Sequence, residues 1–153
     1  MKSTISNKKI KKKELNPNVS VDCVIFGFDL EQLYVLLIDS GSTESHIPTR
    51  MAVPGDLIYD TETLDEAARR VLKELTGIEN IYLEQIGAFG DPDRIGKKAS
   101  DRKWLESIRA MPEARVITIA YYSLVRMPNF NPKASSFAKS AGWAPVKEVH
   151  DLA

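Results

Sequence analysis

The chain has 153 residues, of which 43% are hydrophobic and 27% charged, enough for one domain with a buried core and too few for two ordinary domains. Its apolar runs stay shorter than the roughly 20 residues of a membrane span, and its N-terminus lacks a signal-peptide pattern, so we expect a cytoplasmic protein. The formal net charge is zero, but residues 1–19 hold six lysines against one glutamate, a net of +5, which leaves −5 for the rest.

The uneven charge predicts two regions. Residues 1–19 are expected to form a basic, solvated and disordered tail, and residues 20–153 a single folded domain. A lysine run also suits an arm on nucleic acid, but an acidic body does not favour binding of a phosphate backbone by the domain itself. The single cysteine, Cys23, is expected to be a buried small hydrophobe. His46 and His150 are far apart in the chain, and no metal site is predicted.

Apolar runs separated by turns predict a mixed order of strands and helices. Residues 21–28 and 33–38 are apolar runs around a turn at 29–32, which predicts a hairpin containing a buried strand. Further strands are predicted at residues 51–53, 57–59, 81–89, 115–125 and 143–146. The run 115–125 is apolar on both faces, as in a sheet that is covered on both sides. The predicted fold class is α/β (α+β), with a mixed sheet and flanking helices.

The segment after residue 60 predicts a capped amphipathic helix of about four turns. A polar turn at Asp60 and Thr61 precedes it, and Gly77 follows its end. Its apolar stripe consists of Leu64, Ala68, Val71, Leu72 and Leu75. Residues 71, 74 and 75 are expected to share a face, where Glu74 is then the single carboxylate. One carboxylate is a poor cage for Mg²⁺, which needs several oxygen ligands. A helix that only packs on a core shows the same stripe.

The sequence from 54 to 78, PGDLIYDTETLDEAARRVLKELTGI, resembles the Nudix box of pyrophosphate-cleaving hydrolases, Gx5Ex7REUxEExGU, in which U is aliphatic. The positions in register are Glu62, Arg70, Leu72, Glu74, Gly77 and Ile78. Val71 and Leu75 stand where the family has glutamates, and Asp56 stands where it has glycine. The resemblance implies the Nudix α/β/α sandwich with a mixed sheet, and the missing acids imply loss of the hydrolytic reaction.

Four other segments narrow the resemblance: VDCVIFGF, EQIGAFGDPDR, RVITIAYYSL and AGWAPVKEV. They resemble the N-terminal domain of Nudix-related transcription regulators, nearest to the arabinose-responsive repressors of Bacteroidetes, over about residues 20–153. This resemblance implies a non-catalytic, homodimeric domain that binds a small effector and precedes a DNA-binding winged helix. Because the chain ends at Ala153, where the linker to the winged helix would begin, we expect DNA contact only through a domain absent from this chain.

The resemblance also places a ligand between the box helix and the loops at the same end of the sheet. The residues expected to bind it are Asp56, Glu62, Glu74, Asp91, Asp93, Arg94 and Arg115. Two aspartates beside Arg94 slightly favour a hydroxyl-rich ligand such as a pentose, while an ADP-ribose-like nucleotide needs more cationic donors. Alternatively, residues 91–93 form a turn whose carboxylates bond their own backbone. Arg70 is expected to be structural, bonding Glu74 or a nearby carbonyl.

An apparent insertion at 95–114 predicts one more helix. Ser100 or Asp101 is its expected cap, Trp104, Leu105, Ile108 and Met111 lie on its apolar face, and Pro112 stops it. The helix is interpreted as a lid over the pocket, a dimer contact, or a helix simply packed on the body. Amphipathicity alone does not separate these alternatives.

Three functions remain open from the sequence. The first is effector sensing, with no catalytic residue, no cofactor and no membrane partner. The second is a magnesium-dependent Nudix hydrolase of nucleoside diphosphate derivatives, which recruits Glu66, Glu74 or the aspartates near residue 91 as metal ligands; magnesium is expected only in this case. The third is a dimerisation scaffold that binds no small molecule.

Overall fold

The computed structural model describes residues 13–40, 50–92, 94 and 99–149. Its strands are β1 (Leu15–Phe28), β2 (Leu33–Asp39), β3 (Met51–Ala52), β4 (Gly55–Tyr59), β5 (Glu84–Phe89), β6 (Ile117–Arg126) and β7 (Ala141–Pro145). Its helices are α1 (Leu64–Thr76), α2 (Ala99–Ile108) and α3 (Val146–Val149), with a 3₁₀ turn at Met127–Asn129. None of the helices in these ranges is long and apolar enough to cross a membrane.

The strands form one mixed sheet in the order β3-β2-β1-β6-β5, with β4 paired to β1 and β7 to β2. The long strand β1 runs parallel to β6 from Val19↔Ile117 to Phe28↔Arg126. Its C-terminal end forms the predicted antiparallel hairpin with β2, and its N-terminal half pairs with β4. The predicted α/β class with a mixed sheet is confirmed.

Helix α1 is fixed at both ends by its own side chains and backbone. The Thr63 hydroxyl accepts the Glu66 N–H at 3.2 Å, and the Glu66 carboxylate accepts the Thr63 N–H at 2.8 Å, which is a capping box. The predicted cap is therefore present and is formed by Thr63, which follows the polar turn at Asp60 and Thr61. Gly77 ends the helix in the left-handed region, at φ 73°, as predicted from its position.

The core lies between α1 and one face of the sheet. Its buried side chains include Val21, Cys23 and Ile25 of β1, Leu36 and Ile38 of β2, Tyr121 of β6, and Ala68, Val71, Leu72 and Leu75 of α1. The predicted burial of Cys23 is confirmed, at 0% exposure. The Tyr121 hydroxyl donates to the Asp65 carboxylate at 2.6 Å, so the first turn of α1 is joined to the central part of the sheet.

Residues 71, 74 and 75 lie on one side of α1, as expected, but they are not equally buried. Val71 and Leu75 are 1% and 2% exposed, whereas the Glu74 side chain is 48% exposed. Successive helical residues are rotated by about 100°, which puts Glu74 at the margin of the stripe and leaves the two aliphatic side chains in the core.

Some helix and strand boundaries differ from those predicted from the sequence. Strand β1 begins at Leu15, inside the segment expected to be a disordered tail, because Leu15 pairs with Tyr59 of β4. Helix α2 ends at Ile108, before Met111 and Pro112, and begins at Ala99. The first twelve residues of the predicted tail, the loop 41–49 with His46, Asp93 and His150 lie outside the described residues.

The two faces of β6 are not equally covered. Ile119, Tyr121 and Ser123 are buried on the side of α1. On the other face Tyr122 and Leu124 are 38% and 65% exposed. The expectation of a strand covered on both faces therefore fails for its C-terminal half.

Candidate functional site

A group of charged side chains meets where β1 and β4 pair. Asp22 of β1 lies opposite Gly55 of β4 in the antiparallel ladder. Because glycine has no side chain, the Asp22 carboxylate has room above this part of the sheet. Asp56, the next residue of β4, carries a second carboxylate, which pairs with Arg109.

Asp22 has an unusual electrostatic environment for an aspartate. Burial raises its pKa from the ordinary 3.8 to about 6, although the positive charges of Arg94 and Arg109 act in the opposite direction. Two guanidinium groups from separate segments therefore act on one half-buried carboxylate that changes protonation close to neutral pH. Strongly shifted ionisable groups are frequent at functional sites.

Arg109 reaches this group from the insertion. It follows α2, with its backbone N–H bonded to the Leu105 carbonyl, and its Nη1 contacts Asp56 Oδ1 at 2.8 Å. The helix is held nearby by Trp104, whose Nε1 donates to the Ser40 carbonyl at 2.8 Å. The Arg50 guanidinium lies 4.2 Å from the centroid of the Trp104 ring, a favourable cation–π distance.

Arg94 approaches from the loop after β5. Its Nη2 donates to Thr118 Oγ1 at 2.7 Å and to the Val116 carbonyl at 3.2 Å. The Thr118 hydroxyl lies 2.7 Å from the Ser20 hydroxyl on the neighbouring strand. The backbone N–H of Arg94 donates to the Asp91 carbonyl at 3.2 Å, so the predicted turn is present through its backbone.

Arg70 forms ion pairs with both Glu62 and Glu74. Its Nη2 lies 2.6 Å from Glu62 Oε1, its Nε 2.9 Å from Glu62 Oε2, and its Nη1 3.1 Å from Glu74 Oε2. It also donates to the Leu57 carbonyl at 3.1 Å. Burial acts to raise the pKa of Glu62, but hydrogen bonds from Arg70 and from the Tyr59 N–H hold it below its usual value. The predicted bonds of Arg70 to Glu74 and to a nearby carbonyl are therefore present.

The seven predicted site residues thus fall into separate groups. Asp56 and Arg94 lie with Asp22, whereas Glu62 and Glu74 lie on Arg70. Arg115 donates to the Gly90 carbonyl through Nε and Nη2, at 3.1 and 2.5 Å, and so braces the loop that carries Asp91. The sequence interpretation missed Asp22 and Arg109. The sequence does mark Asp22, because it is a charged residue inside the apolar run VDCVIFGF. No sequence pattern distinguishes Arg109.

One cavity of about 200 Å³ lies elsewhere, between α1 and the segment after it. It is lined by Arg69, Arg70, Leu72, Lys73, Ile78, Glu79, Asn80, Ile81 and Leu83. None of the seven predicted site residues lines it. Over the part of the chain that the structure describes, no group of three or more histidine, cysteine, aspartate or glutamate side chains is arranged to hold a metal ion.

The sequence matches the family profile described as NUDIX domain over residues 16–153. The ADPR responsive transcriptional repressor NtrR of Acinetobacter baylyi is 33% identical over 142 residues, which are 90% of this chain and 48% of that protein. The chain therefore spans about half the length of this curated relative.

Solved structures show the same fold. The NUDIX domain of Shewanella oneidensis NrtR, complexed with ADP ribose, superposes with a TM-score of 0.67 at 22% identity, covering 90% of this chain and 79% of that one. A MutT/nudix family protein from Enterococcus faecalis gives a TM-score of 0.64 at 25% identity, covering 88% and 46%.

Proposed function

We propose that this chain, which belongs to the NUDIX domain family, is a non-catalytic effector-sensing domain of a bacterial transcription regulator and binds an ADP-ribose-like ligand without magnesium. The curated relative is a repressor responsive to ADPR, and a NUDIX domain of the same fold carries ADP ribose. These likenesses support the ligand class.

The burial of Val71 and Leu75 is the observation that carries the non-catalytic part of the proposal. Magnesium-assisted hydrolysis requires carboxylates that reach the metal and the substrate phosphates. At these two box positions the chain instead has aliphatic side chains packed in the core. The other helix acids have partners, since Glu66 closes the capping box and Glu74 bonds Arg70.

The group around Asp22 supports a nucleotide more than a free sugar. Arg94 and Arg109 offer planar guanidinium groups that suit phosphate oxygens, while Asp22 offers an acceptor for ribose hydroxyls. A pentose uses only the acceptor. The arabinose-type effector therefore stays as the second ligand class for the test.

The regulatory output belongs to a longer protein. In the full regulator, ligand binding shifts the arrangement of a homodimer, and a DNA-binding segment outside this chain responds to that shift. For such coupling the ligand must bind one arrangement more tightly than the other.

The proposal is tested by thermal unfolding of the domain with ADP-ribose, ADP, ribose and arabinose, each with and without Mg²⁺. A ligand at about 100 times its Kd adds roughly 2.7 kcal/mol, which moves the midpoint by several degrees. We expect a magnesium-independent shift with ADP-ribose and no release of AMP. A shift with arabinose alone reassigns the effector, and magnesium-dependent release of AMP supports the hydrolase. No shift with any compound favours the scaffold.

A further inference from the structure

We infer that Arg109 is a ligand-binding residue, which exchanges the carboxylate of Asp56 for the diphosphate of a nucleotide-type ligand. The inference rests on the proposed function and adds to it the part of the chain that recognises the anionic portion of the effector. It also gives the insertion a role, because Arg109 directly follows α2.

Two arginines from different segments approach the same part of β1. Arg94 donates to Thr118, which lies beside Ser20 of β1, and Arg109 donates to Asp56, which follows the Gly55 that pairs with Asp22. Both charges also act on the Asp22 carboxylate. The described contacts of Arg94 with protein side chains and carbonyls run through Nη2, and a guanidinium has five N–H donors. Two such groups approaching from different segments suit an anion with several oxygens, since arginine binds phosphate through paired hydrogen bonds.

Arg109 and Asp56 are partly exposed, at 18% and 19%, so solvent reaches both side chains. One described hydrogen bond joins Arg109 to Asp56, whereas three join Arg70 to Glu62, so the guanidinium of Arg109 is less fully engaged than that of Arg70. A diphosphate carries more negative charge than one carboxylate and more acceptor oxygens, so it competes effectively for the same guanidinium.

Helix α2 is attached beside the end of β2 through Trp104. Trp104 bonds the Ser40 carbonyl at the end of β2 and stacks on Arg50. Trp104 and Arg109 belong to one helical segment, so a ligand that moves Arg109 also changes the surroundings of the Trp104 indole. The other tryptophan, Trp143, donates to the Phe130 carbonyl. Its fluorescence is the comparison for that of Trp104.

The chain offers a matched control for Arg109. Arg102 lies on α2, seven residues before Arg109, and forms an ion pair with Glu113, but its side chain is 55% exposed and that of Glu113 is 73% exposed. Replacing either arginine by glutamine removes one positive charge and one ion pair from the same segment. Of these two arginines, only Arg109 contacts Asp56.

The experiment is calorimetric titration of ADP-ribose, without magnesium, into the wild-type protein, R109Q, R102Q and D56N. We expect R109Q to weaken binding at least tenfold and R102Q to change it less than twofold. D56N, which frees Arg109 from its carboxylate, is expected to bind at least as tightly as the wild type. In W143F, ADP-ribose is expected to change the remaining Trp104 fluorescence, and in W104F the change is expected to disappear.

Each outcome has a defined meaning. If R109Q binds as tightly as R102Q, the inference is overturned while the proposed function stands. If D56N loses as much affinity as R109Q, Asp56 positions the arginine and the exchange is overturned. If the wild-type protein does not bind ADP-ribose, both the proposed function and the inference fail. Circular dichroism and unfolding midpoints check that every variant is folded, and R109K, which keeps the charge, is expected to retain part of the affinity.

Discussion

The carboxylate of Asp22 occupies the space in which a side chain on Gly55 would stand. A Cβ built on Gly55 comes 1.9 Å from Asp22 Oδ1 and 2.9 Å from the Val21 carbonyl oxygen. Rotation of Asp22 relieves the first clash, but the second is with backbone. The position of the Asp22 carboxylate and the pairing of β1 with β4 therefore depend on the same glycine.

Replacing Gly55 by alanine is expected to lower the free energy of unfolding by about 1–3 kcal/mol, because the strands must separate slightly to admit the methyl group. The measurement is urea unfolding. Gly142→Ala is the control, since a Cβ at Gly142 of β7 has no neighbour within 4 Å and should change stability by less than about 0.5 kcal/mol. Equal losses in the two variants contradict the steric argument.

Asp22→Asn is expected to stabilise the protein at pH 7.5. The folded state holds the pKa of Asp22 at about 6, above the ordinary 3.8, so it binds more protons than the unfolded state between these values. The contribution of Asp22 to stability is therefore greatest below pH 3.8 and is lost as the pH rises through 6. The charged groups acting on it are Arg94 and Arg109, and its nearest titrating neighbour in the chain is Cys23.

Removing the charge at Asp22 should thus raise the free energy of unfolding at pH 7.5 by up to about 3 kcal/mol. The advantage over the wild type should shrink as the pH approaches 4. Unfolding curves of both proteins between pH 4 and 8 measure this difference. Glu106→Gln makes the same charge change at an exposed position of α2 and is expected to give a difference that is nearly independent of pH. A flat difference for Asp22→Asn contradicts the shifted pKa.

Arg70→Ala is expected to destabilise the fold by about 2–3 kcal/mol at neutral pH. The change strands the carboxylate of Glu62, whose side chain is 12% exposed, and a buried charge without its partner is costly. Because Arg70 holds the pKa of Glu62 below 4.5, the pair contributes stability above pH 4.5 that is lost as the pH falls through the lower folded-state value. The loss in Arg70→Ala should therefore diminish in acid.

The control for this variant is Glu74→Gln. Glu74 also pairs with Arg70, but its side chain is 48% exposed, and such pairs contribute about 0.5 kcal/mol or less. Chemical denaturation of both variants separates the two partners of Arg70. Similar losses of unfolding free energy in Arg70→Ala and Glu74→Gln show that the partly buried pair with Glu62 does not stabilise the fold more than the exposed pair with Glu74.

Placing glutamates on the buried face of α1, with Val71→Glu and Leu75→Glu, is expected to unfold the domain rather than to create a magnesium site. Both positions lie in the core, and an unpaired buried carboxylate destabilises by at least about 3 kcal/mol. Arg69→Glu, at an exposed position of the same helix, is the control and should remain folded. A folded double variant that hydrolyses ADP-ribose with Mg²⁺ contradicts this prediction and supports descent from a catalytically active hydrolase.

Cys23 is expected to be inert to thiol reagents in the native protein. Its side chain is fully buried, and burial, with the nearby charge of Asp22, raises the pKa of its thiol to about 12. The thiolate is the reactive form. Since the chain has one cysteine, reaction with a disulfide reagent should release one equivalent in urea and almost none in buffer, at a rate that follows unfolding. Rapid modification of the folded protein contradicts the burial of this strand.

The sequence was informative wherever a local pattern has one structural solution. The apolar runs on either side of residues 29–32 predicted the β1–β2 hairpin, because consecutive strands joined by a short turn pair with each other. The stripe and Gly77 predicted α1 and its end, and the apolar surroundings of Cys23 predicted its burial. The sequence left the capping residue open because Asp60, Thr61 and Thr63 are all suitable, and only the reciprocal bonds of Glu66 select Thr63.

By itself, therefore, the sequence determined the fold class and the helix α1 with its apolar stripe and its end at Gly77. Tertiary structure decided where the remaining charges meet. Asp22, Asp56, Arg94 and Arg109 come from four separate segments, and the pairing of β1 with β4 and the packing of α2 bring them together. Periodicity reports which face of an element is buried, but not which other element covers it, so no local pattern placed Arg109 beside Asp56.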